Sequence, residues 1–197
     1  GHVHLEHVGQ VLFQQGGGWT STSQFPRPGA QSERVYLSAA PSGTAGHSLH
    51  DGSLTAQAVP DTARLTVAPG LRGLCSRDAA VGTAGAAAIL GSACTRDSRF
   101  NEAEALTFTG APMTAPTQIS GATNVRLNTV LDRPDGFWAA TLNDVAPDGT
   151  STPLTHGALT ASLRAIDEAT STRSANGDYV DAKPALTLAS RQPVVPG

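Results

Sequence analysis

Apolar and polar side chains alternate with a period of two residues in the stretch from residue 119 to residue 167. Residues 125, 127, 129 and 131 are Val, Leu, Thr and Leu, whereas residues 124, 126 and 128 are Asn, Arg and Asn, and residues 159–165 alternate in the same way. Such alternation is typical of β-strands that pack on one face. Residues 137–145 lie between them and are apolar on both sides, so we predict a strand buried on both faces.

Two reverse turns are predicted at the ends of that middle strand. Residues 133–136 read Arg-Pro-Asp-Gly and residues 146–149 read Ala-Pro-Asp-Gly. In both, Pro fixes φ and Gly permits a positive φ. Further short strands are predicted at residues 11–14, 34–37, 61–67 and 105–108. The pattern therefore indicates an all-β chain, folded as an antiparallel β-sandwich or jelly roll.

The composition agrees with this fold class. The 197 residues include 21 Gly and 13 Pro, and only 15% of the residues are charged. Gly and Pro, together with abundant Ser and Thr, favour turns and strands over long helices. A sandwich of this length fits a single hydrophobic core, so we expect no second core.

The charge pattern argues against two classes of partner. The net charge is -3 and Lys183 is the single lysine, whereas binding to nucleic acid or an anionic membrane needs a dense basic surface. The longest apolar run, near residues 86–90, is too short to cross a bilayer. No signal peptide opens the sequence, so we expect either a mature chain or a piece of a longer one.

The two cysteines, Cys75 and Cys94, are predicted to form one disulfide. The bridge would indicate an exported protein, and it would stabilise the fold by roughly 3 kcal/mol. Two separately buried thiols remain the alternative. Residues 71–98 are rich in Ala and Gly and lack a clear period, so we predict a long ordered loop with a functional role.

Two groups of reactive side chains fit neither a metal site nor a catalytic site. His2, His4 and His7 crowd a terminus, where the shaped cavity and supporting contacts of a metal site seldom form. Ser48 lies in a sequence resembling a nucleophile elbow, but His50 occupies the position that requires Gly. We therefore predict no catalytic residue, no metal site among the histidines and no cofactor. Whether calcium binds at Asp135, Asp144 and Asp148 stays open, because turn aspartates look the same.

An ordered series of short motifs resembles the C-terminal domain of the X-Pro dipeptidyl-peptidase and cocaine-esterase-like serine hydrolases. The resemblance runs from about Val11 to the end of the chain. The motifs are Trp19 with Phe25 and Pro26, Tyr36 with Leu37, residues 104–109 before residues 111–113, residues 119–121, and residues 142–149.

The resemblance implies a galactose-binding-type jelly roll that packs on an α/β-hydrolase domain carrying the Ser-His-Asp triad. This chain has no Gly-x-Ser-x-Gly, so no triad is transferred to it. Residues 1–18 would be a tail and linker strand from the absent hydrolase domain, and residues 19–197 the accessory domain. The family pattern continues into further strands after Gly197, so we expect a sandwich without its last strands.

The resemblance also implies roles for particular residues. Ile89 and Leu90 would form an apolar wall of the hydrolase substrate pocket, and Trp19 and Phe25 would anchor the domain interface. The expected partner is the hydrolase domain of the same or a companion chain, with association through open sheet edges. We expect a secreted protein.

Two other functions remain in view. A stand-alone carbohydrate-binding jelly roll would need an exposed aromatic platform, for which Trp138 is the residue to test. A stand-alone esterase would depend on Ser48, and we expect that serine to be unreactive towards fluorophosphonates.

Overall fold

The computed structural model describes residues 3–4, 11–15, 18–60, 63–72 and 96–197. Contacts within the chain define two compact units. The first comprises Gly1–Ser32, Thr117–Thr141 and His156–Gly197, and the second comprises Glu33–Pro116 and Leu142–Thr155. Strands dominate both units and the sheets are small, so the chain is all-β. None of the described helices is long and apolar enough to cross a membrane. The predicted domain boundary at residue 18 stays a prediction.

The first unit contains two small antiparallel sheets. One has the order β1-β2-β3, with β1 at Val3–His4, β2 at Val11–Gln15 and β3 at Gly18–Thr22. The predicted strand at residues 11–14 is thus confirmed as β2. The other sheet pairs two strands near the end of the chain, which we number β9 (Thr172–Arg173) and β10 (Tyr179–Asp181).

The second unit contains a three-stranded sheet of mixed direction. Its strands are β4 (Tyr36–Ser38), β5 (His50–Thr55) and β6 (Leu106–Thr109), with a short helix α1 (Arg99–Glu102) before β6. β4 and β5 are antiparallel, and β5 and β6 are parallel. A Cβ at Gly52 would lie 2.6 Å from both the Phe108 ring and the Ser38 carbonyl oxygen, so only glycine fits at this crossing.

A β-hairpin is formed by β7 (Phe137–Val145) and β8 (Ser151–Thr160). The bounds of β7 agree with the predicted strand. The predicted turn at residues 146–149 is confirmed, since the Gly149 amide donates to the Ala146 carbonyl oxygen at 2.8 Å and Gly149 has a φ of 83°. Burial on both faces is wrong: Phe137 is 71% exposed, and Ala139 and Thr141 are exposed as well.

The predicted turn at residues 133–136 has a different structure. The chain bends at residues 132–134, but the Gly136 amide donates to the carboxylate of Asp135 at 2.9 Å rather than closing a backbone turn. Gly136 is not among the glycines with positive φ. The Gly136 amide is therefore bonded by a side-chain carboxylate, whereas the Gly149 amide is bonded by a backbone carbonyl group.

Three predicted strands are wrong in whole or in part. Residues 125–131 form no strand, and β8 ends at Thr160, where a 3₁₀ turn at Ala161–Leu163 replaces the expected strand at residues 159–165. The 3₁₀ turn forms because the Asp135 carboxylate accepts from the Ser162 amide at 2.9 Å. The described residues 63–67 also lack strand structure, since no described strand pairs with them.

The buried side chains in the described ranges are small. They comprise Ala45 and Ala161 and four serines, Ser38, Ser98, Ser151 and Ser162. Buried hydroxyl groups need hydrogen-bond partners, because an unpaired polar group loses its hydration without compensation. The partners of two of these serines identify the sites described next.

Candidate functional site

A mostly buried carboxylate, Glu102, joins three separate segments of the second unit. It lies at the end of α1, and its side chain is 12% exposed. One oxygen lies 2.5 Å from His47 Nε2. The other accepts from the Ser151 hydroxyl at 2.5 Å and from Asn143 Nδ2 at 3.1 Å. We call His47, Glu102, Asn143 and Ser151 the Glu102 cluster.

The Glu102 cluster contains a serine, a histidine and a carboxylate, but in an order unsuited to nucleophilic catalysis. In a catalytic triad the histidine lies between the other two groups and takes the serine proton. Here the carboxylate lies between Ser151 and His47. Ser151 is 1% exposed, so a substrate has no access to its hydroxyl group. The arrangement is suited to holding α1, β7 and β8 together.

The backbone around Ser151 strengthens this connection. The Ser98 amide donates to the Ser151 carbonyl oxygen at 2.7 Å, and the Ser151 amide donates to Asp97 Oδ1 at 3.3 Å. Asp97 also forms an ion pair with Arg99. The hydrogen bonds from the Arg99 side chain are the main reason that the pKa of Asp97 falls from 3.8 to about 2.

The serine of the elbow-like sequence also has structural partners. The Ser48 hydroxyl donates to the Ala45 carbonyl oxygen at 2.8 Å and accepts from the Thr107 hydroxyl at 2.9 Å. His50 Nε2 lies 3.1 Å from the Ala39 carbonyl oxygen. Ser48 therefore has no hydrogen bond to an imidazole, and its contacts connect the loop before β5 to β6.

Two of the three turn aspartates have evident structural roles. Asp135 accepts from the Ser162 amide and hydroxyl, and these contacts are the main cause of its lowered pKa. Asp148 accepts from the Thr150 amide at 2.9 Å. Among the residues that the structure describes, no group of three or more His, Cys, Asp or Glu side chains could hold a metal ion.

The sequence is similar to one known family over nearly its whole length. A family model described as the X-Pro dipeptidyl-peptidase C-terminal non-catalytic domain matches residues 6–197. The chain belongs to this family. No curated protein and no solved structure matches the chain significantly. The family resemblance inferred from the ordered motifs is thus confirmed, and the structural role of the Glu102 cluster agrees with a non-catalytic domain.

The proposed interface residues of this X-Pro dipeptidyl-peptidase C-terminal domain are only partly described. Trp19 pairs with Gln14 in the β2–β3 ladder. Phe25 is 40% exposed and precedes Pro26 through a cis peptide bond. A Cβ at Gly121 would lie 3.5 Å from the Pro26 ring, which places residues 25–27 close to residues 118–121. Phe25 is therefore held on a fixed segment with part of its ring accessible.

Four sequence-predicted residues lie outside the described ranges. They are Ile89, Leu90, Cys75 and Cys94. The chain on either side of this stretch is attached to the same region. Arg72 pairs with Glu104 at 3.3 Å and lies over the Phe100 ring at 4.9 Å, while Asp97 and Ser98 bond to Ser151. The pocket wall and the disulfide stay predictions.

No pattern in the sequence indicates the Glu102 cluster. Its members come from residues 47, 102, 143 and 151, which are brought together only by the tertiary fold. A four-residue helix such as α1 is too short to show helical periodicity. Buried serines are equally hard to recognise, because serine is common on surfaces and in turns. Only pairing of the strands shows that Ser151 faces Glu102.

Proposed function

We propose that this chain is the non-catalytic accessory domain of a secreted serine hydrolase of the X-Pro dipeptidyl-peptidase or esterase type. It packs on an α/β-hydrolase domain, has a galactose-binding-like jelly-roll fold and helps to shape the substrate pocket. The observation that carries the proposal is the family match across residues 6–197. The inverted order of groups in the Glu102 cluster supports it, because that cluster has no accessible nucleophile.

Exposed apolar side chains support packing against another domain. The first unit exposes Phe25 and Leu188, and the second exposes Leu71, Phe100 and Met113. Burying each of these large side chains against another domain would lower the free energy, and exposed apolar groups often mark interaction surfaces. We assign Phe25 to the hydrolase interface on this basis and on the family resemblance, and Trp19 on the family resemblance alone.

A role in shaping the pocket is supported by the attachments on either side of residues 73–95. Arg72 is held by Glu104, and residues 97–98 are held by β8. An apolar wall formed by Ile89 and Leu90 would therefore start from fixed ends. Fixed supporting residues are what a substrate pocket needs, because a misplaced wall loses complementarity to the transition state.

The experiment that tests the proposal compares this chain with the polypeptide encoded by the whole reading frame. We expect a nucleophile elbow upstream of Gly1 and fluorophosphonate labelling of that upstream serine. This chain by itself should remain unlabelled at Ser48 and Ser151. Labelling of the isolated chain, or a reading frame without a hydrolase segment, would contradict the proposal.

The pocket role has its own test in the same full-length enzyme. Leu90→Asp should raise KM for substrates with apolar side chains, whereas Val59→Asp, at an exposed position of the second unit, should leave KM unchanged. The Cys75–Cys94 bridge is tested by intact mass before and after reduction and alkylation, and secretion by assaying the culture medium for the full-length enzyme. Recovery of two alkylated thiols without reduction would contradict the disulfide.

A carbohydrate-binding module remains the second candidate, but the structure changes the residue to test. Trp138 is partly buried, and its Nε1 is buried without a hydrogen-bond partner. Its neighbour Phe137 is 71% exposed. A sugar-stacking platform on β7 would therefore use Phe137. Glycan-array binding that disappears in Phe137→Ala and persists in Leu188→Ala would favour this candidate over the accessory domain.

A further inference from the structure

The turn between β9 and β10 contains the one Asn-Gly pair of the sequence, Asn176-Gly177. Both residues are exposed to solvent. A glycine after an asparagine leaves the backbone amide between them uncrowded, because glycine has no Cβ and its backbone turns freely. In this chain the pair is therefore the place where an asparagine side chain reacts most readily with its own backbone.

The reaction is deamidation, with water as the co-reactant. The Gly177 amide nitrogen loses its proton to solvent and attacks Cγ of Asn176, so a new C–N bond closes a cyclic imide. The bond from Cγ to Nδ2 breaks, and the nitrogen takes up a proton and leaves as ammonia. Water then opens the imide at either carbonyl carbon, which yields aspartate or the isomer linked through its side chain, isoaspartate.

The closed turn holds the attacking nitrogen in another role. The Gly177 amide donates to the Ser174 carbonyl oxygen at 2.9 Å, and the Ser174 amide donates to the Asp178 carbonyl oxygen at 2.8 Å. Gly177 has a φ of 86°. These features define a hairpin loop in which a type I turn is followed by a bulge at the glycine. The proton that must leave Gly177 is therefore bonded inside the turn.

The Asn176 side chain is fixed by the same turn. Its Oδ1 accepts from the Asp178 amide at 3.2 Å and from the Ser174 hydroxyl group. A nucleophile approaches a carbonyl carbon from outside the plane of the group. Because two hydrogen bonds hold Oδ1, the side chain cannot rotate to offer that face to the Gly177 nitrogen. Deamidation therefore requires the turn to open.

The hairpin that closes the turn is small. β9 and β10 form a two-stranded sheet of their own. The side chains that support it are exposed: Arg173 pairs with Glu168 at 2.9 Å and lies 3.7 Å from the centre of the Tyr179 ring. A two-stranded hairpin is marginally stable in water, and such regions open far more often than the whole chain unfolds. The open form therefore recurs in the folded protein.

We propose that Asn176 is a deamidation site whose rate is set by opening of the β9–β10 hairpin. In the open form, the turn residues react as they would in a peptide. The aspartate product keeps an oxygen for the Asp178 amide, so the hairpin closes again. Isoaspartate adds a carbon to the backbone before Gly177, which displaces the Gly177 amide from the turn. Isoaspartate formation thus converts a transient opening into a lasting one.

The experiment incubates the full chain at neutral pH and follows residue 176 by peptide mapping, which separates the asparagine, aspartate and isoaspartate forms. A synthetic peptide of residues 170–183 is the open reference. We expect deamidation in the chain to be measurable but at least about tenfold slower than in the peptide. In urea that unfolds the chain, the rate should rise to that of the peptide in the same urea.

A variant of the hairpin tests the role of opening. Arg173→Ala removes the ion pair with Glu168 and the contact with the Tyr179 ring, so the hairpin should open more often. We expect the rate of deamidation in the folded chain to rise about fivefold. Arg64→Ala, at an exposed arginine outside the hairpin, is the matched control and should leave the rate unchanged.

Four outcomes would overturn the proposal. Equal rates in the folded chain and the peptide would show that the closed hairpin gives no protection. A folded chain that stays unmodified while the peptide reacts would show that the hairpin does not open. An unfolded chain that stays unmodified would show that residue 176 is not a site. An equal change of rate in Arg173→Ala and Arg64→Ala would show that the hairpin contacts do not set the rate.

Discussion

The sequences of β7 and of residues 125–131 both predict a strand, but the two regions differ in structure. Both carry alternating or continuous apolar residues, yet residues 137–145 form a strand and residues 125–131 do not. β7 is followed by its partner β8 after the five residues 146–150, and the turn between the two strands is predicted by the sequence. In the described ranges no strand pairs with residues 125–131, although Asn124 and Leu131 at the two ends bond to other segments. Alternation therefore shows which face of a segment can pack, while pairing decides whether a strand forms.

The hairpin is also held by polar side chains at both ends. Glu102 accepts hydrogen bonds from Asn143 and Ser151 beside the turn, and Asp135 accepts one from Ser162 at the open end of the hairpin. Residues 125–131 have one comparable attachment, at the adjacent Asn124. If this contrast explains the difference, changes that remove the hairpin's contacts should weaken the fold, whereas changes within residues 125–131 should not.

The largest loss of stability is expected for Glu102→Ala. This change leaves the buried hydroxyl of Ser151 without its acceptor and removes one of the two acceptors of Asn143 Nδ2, and an unsatisfied buried group is costly. We expect the free energy of unfolding to fall by about 3 kcal/mol in urea denaturation. Glu102→Gln should lose less, since an amide oxygen can still accept. Glu33→Ala, at an exposed carboxylate, should be neutral, and an equal loss there would contradict the role of the cluster.

A smaller loss is expected for Ser162→Ala at the open end of the hairpin. Ser162 is 1% exposed, and its hydroxyl donates to Asp135 Oδ2 at 2.5 Å. Losing this bond should lower the free energy of unfolding by about 1–2 kcal/mol. The pKa of Asp135 should rise towards its ordinary value, because the Ser162 hydroxyl is the largest cause of its depression. The exposed Ser32→Ala is the control, and it should change neither quantity.

The turn of the hairpin gives a third prediction. Gly149 has a φ of 83°, where an L-residue is strained, so Gly149→Ala should cost about 1 kcal/mol. Gly157 lies in β8 without a positive φ, and a Cβ there would meet nothing within 4 Å. Gly157→Ala should therefore be neutral or slightly stabilising in the same thermal melts. Equal losses in both variants would show that the positive φ is not the cause.

Acid should weaken the region next to the hairpin through Asp97. Its native pKa of about 2 lies below the ordinary 3.8. A depressed carboxyl pKa contributes stability above 3.8, and that contribution is lost as the pH falls from there towards 2. NMR titration of the Asp97 carboxyl carbon should show a midpoint near the lower value. Arg99→Gln should raise this midpoint, whereas Arg34→Gln should leave it unchanged.

Local patterns in the sequence were sufficient for β7 and the turn that follows it, while the bounds of β8 and the polar contacts needed the tertiary structure. The bounds of β7 and the turn at residues 146–149 follow from periodicity and from Pro and Gly, which act within a few residues. The end of β8 depends on Asp135 binding Ser162, which lies 27 residues away. The Glu102 cluster depends on separations of 55, 41 and 49 residues from Glu102. No local pattern encodes such contacts.

The smallest effect is expected within residues 125–131, where the comparison with the hairpin is most direct. Val125 and Leu127 are about half exposed, and their replacement by Thr removes little buried apolar area. In the unextended chain, Val125→Thr combined with Leu127→Thr should change the free energy of unfolding by less than about 0.5 kcal/mol. On β7, Leu142→Thr is the matched change, and it should cost more because Leu142 is partly buried. A large loss of stability in the Val125 and Leu127 double variant would mean that these side chains already pack in a sheet. A negligible loss would show that an alternating pattern contributes to stability only after a partner strand has covered it.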